Sequence, residues 1–324
     1  MTVSRVVNGS GRVRAATRRR VERAMRDLAY IPNRAARSLV VKKLGVLALV
    51  IPDISNPFFP LLARGAEAAA RAAGYTVILG NSDEEFEREH AYLRAVCALR
   101  VDGVLLAPSG HRSRESLDLL ARRRIPVVLI DRDVDGVPTD VVRGESRRSA
   151  RVLTEHLIQH GHRRIGLISG PLDVSTARER ERGFRDALHD HELEVARSLV
   201  RHGPYTREGG CRAGLSLLAE TERPSAVVTA NNFLGFGLID AARELGIGVP
   251  EDLAIVTFDD VEIVTDAPFF TCAAQPAEAM GRTAVERLIA RLGGDESPMR
   301  ETVLHTQVLI RRSCGCDGAP PLPL

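Results

Sequence analysis

Residues 44–51 read Leu-Gly-Val-Leu-Ala-Leu-Val-Ile, the strongest apolar run in the chain. Eight residues is strand length and well short of a membrane span. Apolar side chains on both faces, without polar alternation, predict a strand covered on both sides, as in parallel sheets. An amphipathic stretch follows at 60–73, and the pair then repeats. Apolar runs at 76–79, 103–107, 127–130, 165–169, 226–229 and 253–258 alternate with helix-like stretches at 85–99, 114–123, 148–160, 176–189, 206–219 and 234–245. Strand and helix in alternation predict parallel sheets with helices on both faces. There are too many units for one lobe, so two doubly wound lobes are expected, with crossings near 143–146 and 274–276. Ligands in such sheets bind at the carboxyl ends of strands, so two facing lobes share one cleft.

Upstream of this body the composition changes. Residues 1–43 hold ten arginines and two lysines against Glu22 and Asp27, a net charge of +10 that leaves −7 for the remainder of a chain whose total is +3. A basic head on an acidic body fits a polyanion partner at the head alone. Val21, Ala24, Met25 and Leu28 recur at spacings of three and four, which predicts a helix over 17–29 with Thr17 as its N-cap. Arginines flank its apolar face. Ile31-Pro32 ends that helix, and Asn33 can cap a second short one running to about 41.

The 324 residues allow two or three domains. No secretory signal opens the chain, which makes the cytoplasm the expected location and a membrane role unexpected. Five cysteines do not read as a disulfide framework. Cys97, Cys211 and Cys272 read as small core residues. Cys314-Gly315-Cys316 has the form of a redox or metal pair, but with no second pair it reads as structural. Glu155-His156 with His160 and His162 lacks the HExxH order and also reads as structural. Gly235-Phe236-Gly237 lacks the third glycine of a dinucleotide fingerprint. No nucleophile elbow or phosphate-cradling loop occurs. No catalytic residue, metal or cofactor is therefore expected.

Two segments of the head carry a resemblance. Residues 2–8, Thr-Val-Ser-Arg-Val-Val-Asn, and residues 30–39, Tyr-Ile-Pro-Asn-Arg-Ala-Ala-Arg-Ser-Leu, resemble the recognition helix and hinge helix of the lac repressor family of bacterial transcription regulators. The resemblance implies that Thr2, Ser4, Arg5 and Asn8 face the major groove of operator DNA. Arg5 is free to read guanine or to contact phosphate. Asn33, Ala36 and Leu39 fall to the hinge helix, where small residues let two helices meet across a dimer axis and a leucine wedges into the minor groove. The family carries a first helix and turn before this point, so the resemblance leads one to expect either a truncated head or a start upstream of Met1.

The body resembles the regulatory domains of the same family and the periplasmic sugar-binding proteins. That resemblance assigns the cleft residue by residue. Asn56, in Asn56-Pro57-Phe58-Phe59, meets sugar hydroxyls, and Phe58 and Phe59 stack on the ring. Asp131 and Arg132 bind hydroxyls after the fourth strand. Arg178, in Thr-Ala-Arg-Glu-Arg, is the effector arginine, and Tyr205 closes the second face. Asn231, Asp259 and Gln275 complete the set. The chemistry agrees, since carboxylates accept, guanidinium donates in a planar fork and amides do both. Simpler roles stay open, with Asp131 and Asp259 as helix caps and Phe58 and Phe59 as core. Glu145-Ser146 replaces the Asp-Asn usual in the family at the crossover, and Asn232 stands where many members carry Asp.

The expected fold is α/β. A partial helix-turn-helix head at 1–32 and a hinge helix at 33–43 precede a two-lobed body at 44–313. One lobe comprises about 44–144 and 276–300, the other about 145–275 and 301–313, and 314–324 form a flexible tail. The expected function is an effector-responsive DNA-binding repressor that senses a monosaccharide or similar metabolite as a homodimer. The rivals are a truncated effector-binding chain without productive DNA binding, a solute-binding protein and an enzyme on the same fold.

Overall fold

The alternation that begins at residue 44 is realised as two six-stranded sheets. The computed structural model describes residues 2–7, 13–28, 30, 44–260 and 269–316. The first sheet runs β11 (Glu301–Leu304), β5 (Asp140–Gly144), β4 (Val127–Ile130), β3 (Gly103–Leu106), β1 (Val46–Ile51), β2 (Thr76–Asn81), with every neighbouring pair parallel. The second runs β12 (Gln307–Leu309), β10 (Thr271–Ala274), β9 (Ala254–Phe258), β8 (Ala226–Thr229), β6 (Ile165–Ser169), β7 (Val200–His202). Only the β10–β12 pair is antiparallel. The two orders correspond strand for strand, so β4 and β9 occupy equivalent places. Strands β1, β3, β6, β8 and β9 are buried almost throughout, as their unbroken apolar sequences require.

In the head, α1 (Thr2–Val7) packs on α2 (Ala15–Asp27). Val6 is buried while Val3 is exposed. Helix α2 starts two residues before the expected cap: its N-cap is Arg14, which makes no capping hydrogen bond, and Thr17 lies inside the first turn. The hinge helix expected at 33–43 lies outside the described residues.

Helices α3 (Phe58–Ala72), α4 (Phe86–Leu99), α5 (Ser113–Arg122) and α10 (Ala277–Leu292) belong to the first sheet; α6 (Ser146–Gln159), α7 (Ser175–Asp190), α8 (Arg207–Leu218) and α9 (Asn232–Glu244) belong to the second. Helix α10 lies beyond the last predicted helix because it leaves the strand–helix alternation. The chain finishes β10 in the second lobe, then returns to pack α10 against α3. Gly65 and Gly281 permit that contact, since a β-carbon on either would collide with the backbone carbonyl of Glu278 or Leu62. Gly65→Ala is expected to cost about 2 kcal/mol by forcing the helices apart. A lower denaturation midpoint at unchanged slope checks this; native stability would refute the close packing.

The lobes are joined by three crossings, at 144–146, 274–277 and 304–307. The third falls later than the boundary near 300 expected from sequence, because β11 adds to the edge of the first sheet beside β5. The crossings lie side by side. Glu145 N donates to Thr306 Oγ1 at 3.3 Å, Thr306 N donates to Glu145 Oε2 at 3.3 Å, and His305 Nδ1 is 3.0 Å from the same carboxylate. Glu145 thus ties two strands of a three-strand hinge. The expected tail also begins late. Residues 312–314 form a 3-10 turn, and Cys314 packs in the core of the second lobe. Among the described residues no helix is long and apolar enough to cross a membrane.

Candidate ligand-binding cleft

Between the carboxyl ends of the two sheets lies a narrow cleft lined from both lobes. From the first lobe it is lined by Asp53, Asn56, Phe58, Phe59, Glu84, Asp131 and Arg132. The second lobe contributes Thr176, Arg180, Tyr205, Asn231 and Asp259. Eight of the ten residues assigned by resemblance therefore converge on one place.

Each side chain is set by its strand end. Asp131 follows β4 and Asp259 follows β9. Both adopt left-handed backbone, φ +65° and +67°, a region that non-glycine residues rarely occupy. In each, the amide donates to the next strand, Asp131 N to Val142 O at 2.8 Å and Asp259 N to Ala273 O at 3.0 Å. The same turn, used twice, brings two carboxylates into one cleft, and Asp131 caps no helix, since β5 is the next element after it. Strained conformations held this firmly cluster at functional sites. Asn231 does act as an N-cap, its Oδ1 accepting from Leu234 N at 2.9 Å, which leaves its amide nitrogen on the cleft side. Phe58 and Phe59 belong both to the core of the first lobe and to the cleft wall. Their rings meet edge to face, with centroids 5.0 Å apart.

The electrostatics are those of a desolvated network. Burial pushes the Asp131 carboxyl up to about 6, although Arg180 and Arg132 pull the other way. Burial likewise raises Asp259, against Arg180 and a 2.9 Å hydrogen bond from Gln275. Arg132 resists the cost of burial through a two-pronged pair with Glu84, at 2.6 and 2.7 Å, and stays above the ordinary arginine range. Its guanidinium lies 5.5 Å from the Tyr205 ring, and that of Arg180 lies 4.1 Å above the Phe258 ring. Arg180 also donates to Ala230 O. Several buried polar atoms of the lining have no protein partner, among them Asp131 Oδ1, Arg132 Nε and Arg180 Nε. Buried groups in native proteins are normally satisfied, so these atoms suit the hydroxyls of a ligand.

Two residues fall elsewhere. Arg178 does not reach this cluster. It pairs with Asp135 at 2.8 Å and donates to Leu172 O and Asp173 O, bridging the lobes beside the cleft. Its neighbour Arg180, 3% exposed, is the arginine that enters. Gln275 stands behind Asp259 at the second crossing. Sequence reading also missed Asp53, Glu84 and Thr176. Asn232, which departs from the family pattern, donates its amide to Asn56 Oδ1 at 3.2 Å and so joins the lobes.

In the head, Arg5 is exposed on α1, and Thr2 and Ser4 lie in the same helix. Asn8, Asn33, Ala36 and Leu39 lie outside the described residues.

Comparison with known proteins is consistent along the whole chain. The model of bacterial regulatory proteins of the lacI family matches residues 1–33, and that of the periplasmic binding protein-like domain matches residues 154–314. The HTH-type transcriptional regulator CelR of Thermobifida fusca is 36% identical over 323 residues, spanning 96% of this chain and 94% of that one. The ribose operon repressor of Halalkalibacterium halodurans is 33% identical over 314 residues, spanning 96% and 92%. Among solved structures, the lac repressor bound to ONPG superposes with a TM-score of 0.82 at 27% identity, covering 96% and 94% of the two chains. With a helical head of this sequence, two lobes of this topology and relatives that are regulators rather than enzymes, the chain belongs to the lacI family of bacterial transcription regulators.

Proposed function

We propose that this regulator represses transcription as a homodimer, binding operator DNA through its head and sensing a single-ring monosaccharide in the cleft. The observation that carries the ligand reading is the convergence of Asp131, Asp259, Arg132 and Arg180 with the Phe58 and Phe59 rings on one cleft. That set offers acceptors, planar donors and an apolar wall, which is what a sugar's hydroxyls and C–H face require. Relatives named for ribose and cellobiose support a sugar. Ligand that bridges the lobes favours the closed arrangement, and operator affinity changes by the difference in ligand affinity between the two states. A thermal-shift panel of pentoses, hexoses and disaccharides tests the reading. One or a few monosaccharides should raise the melting temperature by mass action. Stabilisation by disaccharides alone, or by no sugar, would count against it.

Proton linkage gives a second check. The Asp131 carboxyl titrates at about 6 when folded, above its unfolded value of about 3.9. Its bound proton stabilises the ligand-free fold fully below pH about 4, and that contribution is lost as pH rises through about 6. A hydroxyl donating to Asp131 favours the carboxylate. Sugar binding should therefore release protons near pH 6 and tighten as pH rises from 5 to 7. Calorimetry in buffers of different ionisation enthalpy measures this. Asp131→Asn should abolish the release; persistence in that variant would assign it elsewhere.

A further inference from the structure

Two soft-ligand fragments stand apart in sequence, His156 in α6 and Cys314-Gly315-Cys316 at the end of the second lobe. The fold brings them together. His156 Nε2 lies 3.3 Å from Cys314 Sγ and 3.6 Å from Cys316 Sγ, and all three donor atoms fall within 4.8 Å of one another. We propose that these three side chains form a binding site for a closed-shell thiophilic cation, Zn(II) or Cu(I).

The geometry fits without rearrangement. Bonds of about 2.3 Å to sulfur and about 2.0 Å to imidazole nitrogen place N and S about 3.5 Å apart in a tetrahedral site, which matches both observed distances. The backbone is built to hold this arrangement. Ser313 Oγ donates to Ile255 O at 2.6 Å and accepts from Thr271 N at 2.8 Å, which fixes the 3-10 turn against β9 and β10. Thr271 Oγ1 lies 3.0 Å from Cys314 Sγ. Gly315 then takes φ +79°, a conformation that glycine adopts without penalty. That single residue turns the chain so that Cys316 faces the same imidazole as Cys314. The His160 ring lies 4.3 Å from that of His156, tilted by 49°, and its Nδ1 is 2.8 Å from His156 O, which braces the helix turn carrying the ligand.

The chemistry fits as well. Imidazole nitrogen is a common metal donor, and His156 presents its Nε2 to both sulfurs. Without a cation the thiols can donate to backbone carbonyls, Cys314 Sγ to Arg311 O at 3.2 Å and Cys316 Sγ to Cys314 O at 3.9 Å. On binding a cation each thiol loses its proton to solvent, and two thiolates neutralise Zn(II). Soft thiolate donors select zinc or Cu(I) over harder cations. Cys316 is only half-buried, which leaves the fourth position of a zinc site toward solvent, whereas Cu(I) is satisfied by the three donors. Bound metal would clamp the chain's end to α6, the helix that starts at the first interlobe crossing.

The test uses the full chain, reduced and freed of metal under argon. Zn(II) is titrated against a chromophoric chelator and Cu(I) against bicinchoninate, and Co(II) serves as a spectroscopic probe for the zinc arm. The expected result is one equivalent of Zn(II) or Cu(I) bound in competition with a raised melting temperature; if the metal is zinc, Co(II) also gives a sulfur-to-cobalt charge-transfer band. Cys316→Ser should weaken binding by more than about a hundredfold, beyond the loss typical of outer-shell changes. Being half-buried, it leaves the apo melting temperature near native, so loss of metal is distinguishable from loss of fold. Cys97→Ser and Cys211→Ser should bind as the native chain does. Failure of both metals to compete, or full binding retained by Cys316→Ser, overturns the proposal.

Discussion

Arg180→Met removes the stabilisation that a bound monosaccharide gives, weakening it by about 3 kcal/mol or roughly a hundredfold, as expected for two charge-assisted hydrogen bonds. Arg178→Met leaves the ligand response within a few-fold of native. The contrast follows from position. Arg180 enters the cleft over Phe258, between Asp131 and Asp259, while Arg178 is spent on Asp135 beside it. The Arg180 variant should also lose about 3 kcal/mol of ligand-free stability, because two buried carboxylates lose their shared counter-charge. Apo melting curves of both variants are therefore recorded first, and ligand shifts are compared only at temperatures where each is folded. A response lost in Arg178→Met and kept in Arg180→Met would reverse the assignment.

That pair also shows what the sequence could and could not say. Both arginines stand in Thr-Ala-Arg-Glu-Arg, and the motif alone does not choose. The helical phase does. Ala177, Arg180, Phe184 and Ala187 fall three and four residues apart on the buried face, whereas position 178 is a hundred degrees away. The long apolar strands were legible because burial on both faces leaves an unbroken signature. Strands β7, β11 and β12 were not, being three or four residues long with polar members. Helix α10 has regular spacing at Ala277, Met280, Ala284, Val285 and Leu288, yet its membership of the first lobe is a matter of topology that no local pattern encodes. Glu84 reaches the cleft through a loop with positive φ at Asp83 and Glu84. Its pairing with Arg132 spans 48 residues, a separation at which spacing says nothing.

The second large effect belongs to stability. Asp140 starts β5 and is 1% exposed. It accepts from Arg287 Nε at 2.8 Å, Arg291 Nε at 2.7 Å and Arg300 N at 3.1 Å. One carboxylate thus fastens α10 and the approach to β11 onto the first sheet. Asp140→Ala leaves the buried Arg287 guanidinium with Asp295, at 2.6 Å, as its remaining acid partner and should cost about 3 kcal/mol. The sign of the pH dependence follows. Burial opposes the Asp140 charge, but hydrogen bonds from Arg291 and Arg287 outweigh it and hold the carboxyl below its ordinary value. Its contribution is therefore present above the unfolded pKa of about 3.9 and is lost as pH falls through the folded value. Urea midpoints from pH 7 to 3 should fall more steeply for the native chain than for Asp140→Ala. Parallel curves, or a variant as stable as native at pH 7, would show that the network contributes nothing net.

The proposed regulation requires coupling between the cleft and the head. Gel retardation of the full chain on the DNA upstream of its own gene, against random duplex of equal length, tests this most directly when run with and without the sugar that stabilises the protein. Specific retardation should weaken steeply with salt, and sugar should change operator affinity by about 5- to 150-fold, a change lost in Arg180→Met. Equal retardation of operator and random DNA, or operator binding indifferent to a sugar that demonstrably fills the cleft, would contradict it.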